Sequence, residues 1–443
     1  MNARESAFHI LALFEKTNQH LDSLIESQLT AGRLTAKERK FAHNLVSGVI
    51  RNKTLFDWKV TTLYKGNYKK MLDNFKIILR LALYELDFLD YIPPHATVNE
   101  YVNLAKTKIP SANVGAVNGI LRTYLREGKS LKPEKKFKYA DTQLAIKYSF
   151  PEWIIKRWLG FWGVDFVTAL CESFNKRPVF DLRINLQKIS TTEFKERLVN
   201  EKIQFSESVH FENVVKITDI QNLRNSQLLK AGFCSVQDES GLLATTLLPI
   251  PESGDRILDA CSAPGGKYIA LWEKFGKNTQ IISVEKNGKR ILKIRENSER
   301  IGALNPMIIQ ADAQHLPFNI KFEQILADVP CSGMGTIQKH PDIKWRRTLE
   351  EILRFQKLQL DILDNLSQYT KPTGTLVYCT CTIDPAENEA VIEQFLERNR
   401  DEFEIVSPPV EFGDICIDSK YIRTFPHLHQ MDGSFAAILR RIN

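Results

Sequence analysis

ILDACSAPGGK, residues 257–267, joins an apolar run ending in an acid to a small-residue loop closed by a lysine. In an open α/β sheet, ligands bind beyond the carboxyl ends of the strands, so a junction of this kind decides how the chain around it is read. Gly265 and Gly266 allow close backbone approach, and a following helix would offer free N–H groups to a ligand. The loop is neither a dinucleotide G-x-G-x-x-G nor a phosphate P-loop. The latter needs Gly where Cys261 stands and Ser or Thr where Tyr268 stands. The segment Cys261, Ser262, Ala263, Pro264, Gly265, Gly266 and Lys267 is therefore expected to hold a nucleotide-type cofactor that needs no phosphate cradle.

Outward from this loop, short apolar runs alternate with helical segments. DRILDA, QIISVE, MIIQAD, FEQILAD and GTLVYCT read as strands; GKRILKIRENSERIG, TLEEILRFQKLQLDILDNLSQY and ENEAVIEQFLERN read as helices. That alternation implies βαβ units and a mostly parallel sheet covered on both faces, with DGSFAAILRR as a late, antiparallel strand. The second strand ends at Glu285, where a carboxylate can accept both ribose hydroxyls; the third ends at Asp312, placed for an adenine edge. An adenosine-containing cofactor bound in this way fits S-adenosyl-L-methionine.

The rest of the chain reads differently. At 443 residues two or three domains are expected. Residues 1–128 carry apolar side chains at helical spacing, interrupted by Pro93 and Pro94, with helix-like spacing resuming from about Thr97 and a last helix from Val114 to Leu125. Residues 129–140 are polar, basic and broken by Pro133, as in a linker. Residues 141–240 mix helical spacing in PEWIIKRWLGFWG with an alternating run, VFDLRIN, and a helix TTEFKERLVNE opened by a threonine cap. The expected fold is thus multidomain: an all-α N-terminal domain over 1–128, a linker, a small α+β module over 141–240, and an α/β Rossmann-like domain over 241–443.

Charge follows the same division. Residues 1–138 hold 23 Lys+Arg against 13 Asp+Glu, whereas the remainder holds 37 against 40. A basic third joined to a nearly neutral remainder suggests a polyanion-binding module attached to something else. No apolar stretch reaches the ~18 residues that suggest a membrane span, and the N-terminus does not read as a signal peptide. Seven cysteines without a secretory cue suggest reduced thiols and a cytoplasmic location.

Two of those cysteines stand apart. Cys331 lies in LADVPCSGMGT (326–336) and Cys381 in VYCTCTIDPAENEA (377–390), each at the end of an expected strand. A single buried cysteine is usually an inert small hydrophobe. Two thiols at strand ends beside a cofactor loop suggest covalent chemistry instead, and with no C-x-x-C pair or matching histidines a metal site is not expected. Methylation of an unactivated carbon needs such a thiol. Cytosine C5 is a poor nucleophile; a thiolate adding at C6 turns the ring into an enamine-like species that can attack a methyl donor. An acid near N3 and N4, for which Asp328 is suited, stabilises this adduct, and a base must then remove the C5 proton. Spacing leaves both assignments of the attacking thiol open: a Pro-Cys pair favours Cys331 and a Thr-Cys pair favours Cys381.

DACSAPGGK, DVPCSGMGT and YCTCTIDPAENEAV resemble three motifs of the NOL1/NOP2/Sun family of RNA (cytosine-5) methyltransferases. The likeness extends to VQDESGLLAT (236–245), KHPDIKWRR (339–347) and DGSFAAIL (432–439). NLVSGVIRNKTLFDW, LRLALYELDFLDYIPPHATVNEYVNLAK and VNGILR resemble a NusB-type RNA-binding domain, and a NusB-like domain before the catalytic domain is the architecture of the family's bacterial 16S rRNA branch. The resemblance implies Cys381 as nucleophile and Cys331 as the residue aiding release. It places the cofactor on Cys261–Lys267, Glu285, Asp312 and Asp328, with Lys267 and Asp328 bordering a flipped cytosine. Glu285 replaces a commoner aspartate, Val329 an alanine and Thr382 a serine, and Cys379 is an additional thiol with no assigned role.

For RNA, the basic N-terminal helices are expected to grip phosphates, with Arg183, Arg346 and Arg347 as further contacts. Single-stranded or looped 16S rRNA is the expected substrate, since an A-form helix hides its base edges, and no obligate protein partner is inferred. The same chemistry on tRNA or 23S rRNA is one alternative. A non-catalytic RNA-binding or antitermination factor is another, disfavoured because a binding platform needs no paired thiols.

Overall fold

The computed structural model describes residues 2–31, 34–133, 136–276, 279–303 and 305–443. It divides into two compact units. One comprises the chain up to Asn175 together with His340–Arg346; the other comprises Lys176–Lys339 and Arg347–Asn443.

The first unit is helical. Its opening helix, Ala3–Lys16, starts from a capping box in which Asn2 accepts from Glu5 N, and Ala36–Arg51 starts from another made by Thr35 and Glu38. The central helix Asp73–Phe88 is buried at every residue from Ile77 to Leu86, among them Ile77, Ile78, Leu79, Leu81, Ala82 and Leu83. Such a helix has no polar face to give to water, so its two inward charges are paired. Arg80 donates to Asp57 at 2.6 and 2.8 Å and to Glu15 at 2.8 Å. Glu85 accepts from Arg4 at 2.7 Å, Thr97 at 2.8 Å and Tyr101 at 3.1 Å.

Helix Pro94–Lys108 begins three residues before the expected resumption at Thr97, because proline fits the first helical position, where no N–H is needed. Helix Ser111–Glu127 likewise extends beyond the expected Val114–Leu125. In the expected linker, Glu134 and Lys135 lie outside the described residues, and the Phe137 ring sits 6.3 Å from that of Trp58. Helices Ala140–Lys147 and Glu152–Asn175 also belong to this unit; the second is broken at Gly163, whose φ of 77° no regular helix contains.

Among the described residues the second unit holds thirteen strands: β1 Phe180–Ile184, β2 Phe205–Glu207, β3 Val214–Ile217, β4 Cys234–Val236, β5 Arg256–Asp259, β6 Gln280–Glu285, β7 Met307–Gln310, β8 Phe322–Asp328, β9 Thr370–Thr380, β10 Phe403–Val406, β11 Cys416–Ile417, β12 Tyr421–Thr424 and β13 Ser434–Arg441. The small sheet, β2-β3-β1-β4, is antiparallel and carries helix Thr191–Asn200, which is capped by Ser190 rather than by a threonine. The large sheet has the order β11-β12-β13-β9-β8-β5-β6-β7, with β10 beside β13. Its strands from β7 to β9 are parallel, and β13 turns the remainder antiparallel.

The parallel strands read as unbroken apolar runs because both their faces are covered. Leu258, Ile325 and Ala327 enter one core while Ile257 and Leu326 enter the other, and Leu376 and Val377 divide in the same way. Among the described residues no helix is long and apolar enough to cross a membrane.

Candidate active site

β5 is the first strand of the parallel set; β6 and β7 extend the sheet on one side of it, β8 and β9 on the other. The ends of β5 and β8 therefore flank the point where the strand order reverses, the place where open α/β sheets bind ligands. The parallel register aligns Asp328 with Cys379. β8 and β9 thus end at the same edge, and the chain beyond them brings Cys331 Sγ to 3.2 Å from Cys381 Sγ. Hydrogen bonding to Cys381, added to burial, pushes the Cys331 thiol well above the ordinary range, so this pair keeps a proton at Cys331.

The Lys267 ammonium lies 2.6 Å from Asp328 Oδ2. Burial alone would favour the neutral amine, but the Asp328 carboxylate holds Lys267 protonated. Cys379, the thiol without an assigned role, is buried and donates to Asp328 Oδ1 at 3.6 Å. Burial first, then Asp328, raises its pKa well above the ordinary value, which makes it an inert donor that steadies the carboxylate.

The loop after β5 is shaped for a ligand. Gly265 caps helix Gly266–Phe275 with φ 100°, and a Cβ there would meet Ile294 at 3.2 Å. Ser262 is tied to β6 by its N–H to Val284 O (3.0 Å) and by Oγ to Ser283 Oγ (3.1 Å). Arg290 and Asn297 donate to the carbonyls of Ala263 and Pro264. Cys261 is half-buried, and desolvation with the acids beside it holds it neutral. Glu285, also buried, spends one oxygen on Asn287 N at 2.8 Å and sits 3.4 Å from Arg290. Asp312 lies two residues past the end of β7, bonded to Lys286 at 2.6 Å.

Asp259, at the end of β5, was not singled out from sequence. It is fully buried, neither carboxylate oxygen has a hydrogen-bond partner among the described residues, and burial pushes it up to about 7. A partnerless buried acid beside a glycine-capped loop, with Glu285 and Asp312 on the next strand ends, fits a cationic, hydroxyl-bearing adenosine cofactor. Among the described residues no cluster of His, Cys, Asp or Glu has the geometry to hold a metal ion.

The three arginines expected to meet RNA are used inside the protein. Arg183 is 2% exposed, paired with Glu273 and bonded to Gln237 at 3.0 Å, and burial lowers its pKa to about 10. That expectation is corrected: a phosphate cannot reach it. Arg346 donates to Phe14 O at 2.6 Å and stacks 3.9 Å from the Phe14 ring. Arg347 donates to Ser332 O at 2.7 Å, next to Cys331. An arginine's sequence neighbours did not reveal these partners, which come from distant segments. Lys344, in the same basic run, is 1% exposed, bonded to Arg51 O at 2.9 Å and seated 4.1 Å over the Phe150 ring.

Residues 244–440 match the family model described as 16S rRNA methyltransferase RsmB/F. Residues 1–126 match the NusB family, and 150–224 match the RsmF/B-like ferredoxin-like domain. The chain is 33% identical, over the full length of both, to a probable ribosomal RNA small subunit methyltransferase B of Synechocystis sp.. It is 32% identical to ribosomal RNA small subunit methyltransferase B of Pseudomonas syringae pv. tomato, covering 90% of this chain and 87% of that one. A solved structure of a methyltransferase homolog protein from Pyrococcus horikoshii superposes with a TM-score of 0.58 at 25% identity, over 69% of this chain and 99% of that one.

Proposed function

Because this chain belongs to the 16S rRNA methyltransferase RsmB/F family, and is thereby an rRNA methyltransferase, we propose that it methylates C5 of one cytosine in 16S rRNA. The methyl donor is S-adenosyl-L-methionine, and the path runs through a covalent bond between Cys381 and C6. The observation that carries this reading is the 3.2 Å approach of Cys331 and Cys381 beside the Lys267–Asp328 pair. A methyltransferase acting on an oxygen or an exocyclic amine needs no thiol, let alone two.

The cofactor would be held by the Cys261–Lys267 loop, Glu285, Asp312 and Asp328; when bound, it supplies an electrophilic methyl group on a sulfonium. The chain's own residues do the rest. A target base flipped from its stack would lie against Lys267 and Asp328. Cys381, its proton passed to solvent, adds to C6, while Asp328 accepts from the N4 amino group and so orients the base and steadies the adduct. That addition shifts the C5=C6 electrons onto C5, leaving an enamine-like species nucleophilic at C5, the carbon that a bound sulfonium donor would methylate as its S–CH3 bond breaks. Cys331, its own proton passed to solvent, accepts the C5 proton; the C5–H electrons restore the double bond and expel the Cys381 thiolate.

RNA engagement is assigned to the basic N-terminal helices, with single-stranded or looped RNA as the target, and the protein is placed in the cytoplasm. Bisulfite sequencing of 16S rRNA from cells with and without the gene tests the reading. One cytosine should lose protection in the deletion; unchanged protection throughout 16S would move the substrate to tRNA or 23S rRNA.

A further inference from the structure

Behind the two thiols lies a buried carboxyl that the reaction above does not use. Glu387, 0% exposed, follows Cys381 by six residues in the turn Pro385–Glu387. Its Oε2 accepts from Ser332 N at 2.8 Å and from Gln359 Nε2 at 3.1 Å, and its Oε1 is buried with no hydrogen-bond partner among the described residues. Gln359 Nε2 also reaches Pro330 O at 3.0 Å, so the residues on both sides of Cys331 are tied to one carboxyl–amide pair. Ser332 is pinned twice more: its carbonyl accepts from Arg347 Nε at 2.7 Å, and its Oγ lies 2.9 Å from Thr382 Oγ1, next to Cys381.

Burying a carboxyl and leaving one oxygen without a donor destabilises the fold. A neutral amide oxygen could accept from Ser332 N just as well, so packing alone does not call for an acid here. We infer that Glu387 is a positioning residue: it holds the Cys331 arm against Cys381 through Ser332 N and sets how readily Cys331 accepts a proton. This inference rests on the covalent cytosine-5 reading. Burial pushes Glu387 up to about 7, so its charge changes in the working pH range. The titratable groups facing it are Cys331 on the arm, Tyr378 of β9 and Asp384 of its own turn. An ionised Glu387 raises the Cys331 pKa and slows loss of its proton.

The test compares wild type, Glu387→Ala, Glu387→Gln and Cys331→Ala, as full chains, on in vitro transcribed 16S rRNA with S-adenosyl-L-methionine. Methyl incorporation and covalent RNA–protein adduct on denaturing gels are followed from pH 6 to 9, alongside the thermal unfolding midpoint. Glu387→Ala should still form the adduct yet release it roughly tenfold or more slowly, as Cys331→Ala does. Glu387→Gln keeps an acceptor for Ser332 N and should restore release, with its pH dependence moved roughly one unit lower because the charge beside Cys331 is gone. Release at the wild-type rate by Glu387→Ala overturns the assignment. So does a parallel loss of adduct formation, release and unfolding midpoint in both Glu387 variants, the signature of a merely structural role. Absence of adduct even with Cys331→Ala overturns the covalent reading itself, and this inference with it.

Discussion

Cys331 Sγ and Cys381 Sγ stand 3.2 Å apart although fifty residues separate them. Their meeting follows from two adjacent parallel strands, β8 and β9, that end at one edge of the sheet with Asp328 opposite Cys379. The two thiols nonetheless sit on different segments, Cys331 beyond β8 and Cys381 directly beyond β9, and the hydrogen bond to Cys381 together with burial holds Cys331 protonated.

That difference predicts opposite failures. Cys381→Ala should lower methyl transfer by roughly 10³-fold or more, with no covalent RNA adduct, because the attacking atom is gone. Cys331→Ala should form the adduct and hold it. A denaturing gel separates the two; adduct in the first variant, or none in the second, reverses or removes the roles.

Asp328 is bonded to Lys267 at 2.6 Å and steadied by Cys379 at 3.6 Å. Asp328→Asn keeps the shape but removes the charge that keeps Lys267 protonated and replaces one of the two acceptor oxygens at the cytosine edge with a donor. Turnover should fall roughly 10²–10⁴-fold. Steady-state assays would show the loss in kcat; an effect confined to KM would mean that Asp328 only binds.

Gly335 donates to Cys381 O at 3.0 Å and accepts from Gly433 N at 3.0 Å. A Cβ on Gly335 would overlap the carbonyl oxygen of Gly433 at 1.8 Å, and backbone cannot step aside as a flexible side chain can. Gly335→Ala should therefore cost about 3 kcal/mol and displace the turn that carries Cys381. Thermal unfolding with the adduct assay checks this; a wild-type midpoint with full adduct formation would contradict the packing argument.

Asp259 titrates at about 7 when folded, against about 4 in an unfolded chain, because burial disfavours its charge. Between those values the folded state binds the extra proton, so the stability this group contributes is complete below about pH 4 and lost as pH rises to 7. Three units correspond to about 4 kcal/mol as an upper figure. Asp259→Asn removes the titration. The unfolding midpoint of the cofactor-free wild type should fall relative to that of Asp259→Asn from pH 5 to pH 8; parallel midpoints would show the carboxyl to be solvated.

Much of the site was legible in the chain. Alternating apolar runs from Arg256 to Thr380 marked parallel strands, since strands buried on both faces must be apolar throughout. The Cys261–Lys267 loop, Glu285, Asp328 and the two thiols fell at strand ends, where short motifs carry their own geometry. The N-terminal helices declared themselves by periodicity, and Pro94 was misplaced only because proline both ends one helix and opens the next.

What local pattern could not supply was partnership across distance. Arg183, Arg346 and Arg347 read as RNA contacts or salt-bridge formers, and nothing local named their partners, Glu273, Phe14 and Ser332. Asp259 and Glu387 looked like ordinary acids, and only burial gave them pKa values near neutrality. Periodicity and loop chemistry act over a few residues and are written in the chain itself. Desolvation and ion pairing depend on which segments fold together, so the tertiary structure alone decided which charges face a substrate and which hold the site in place.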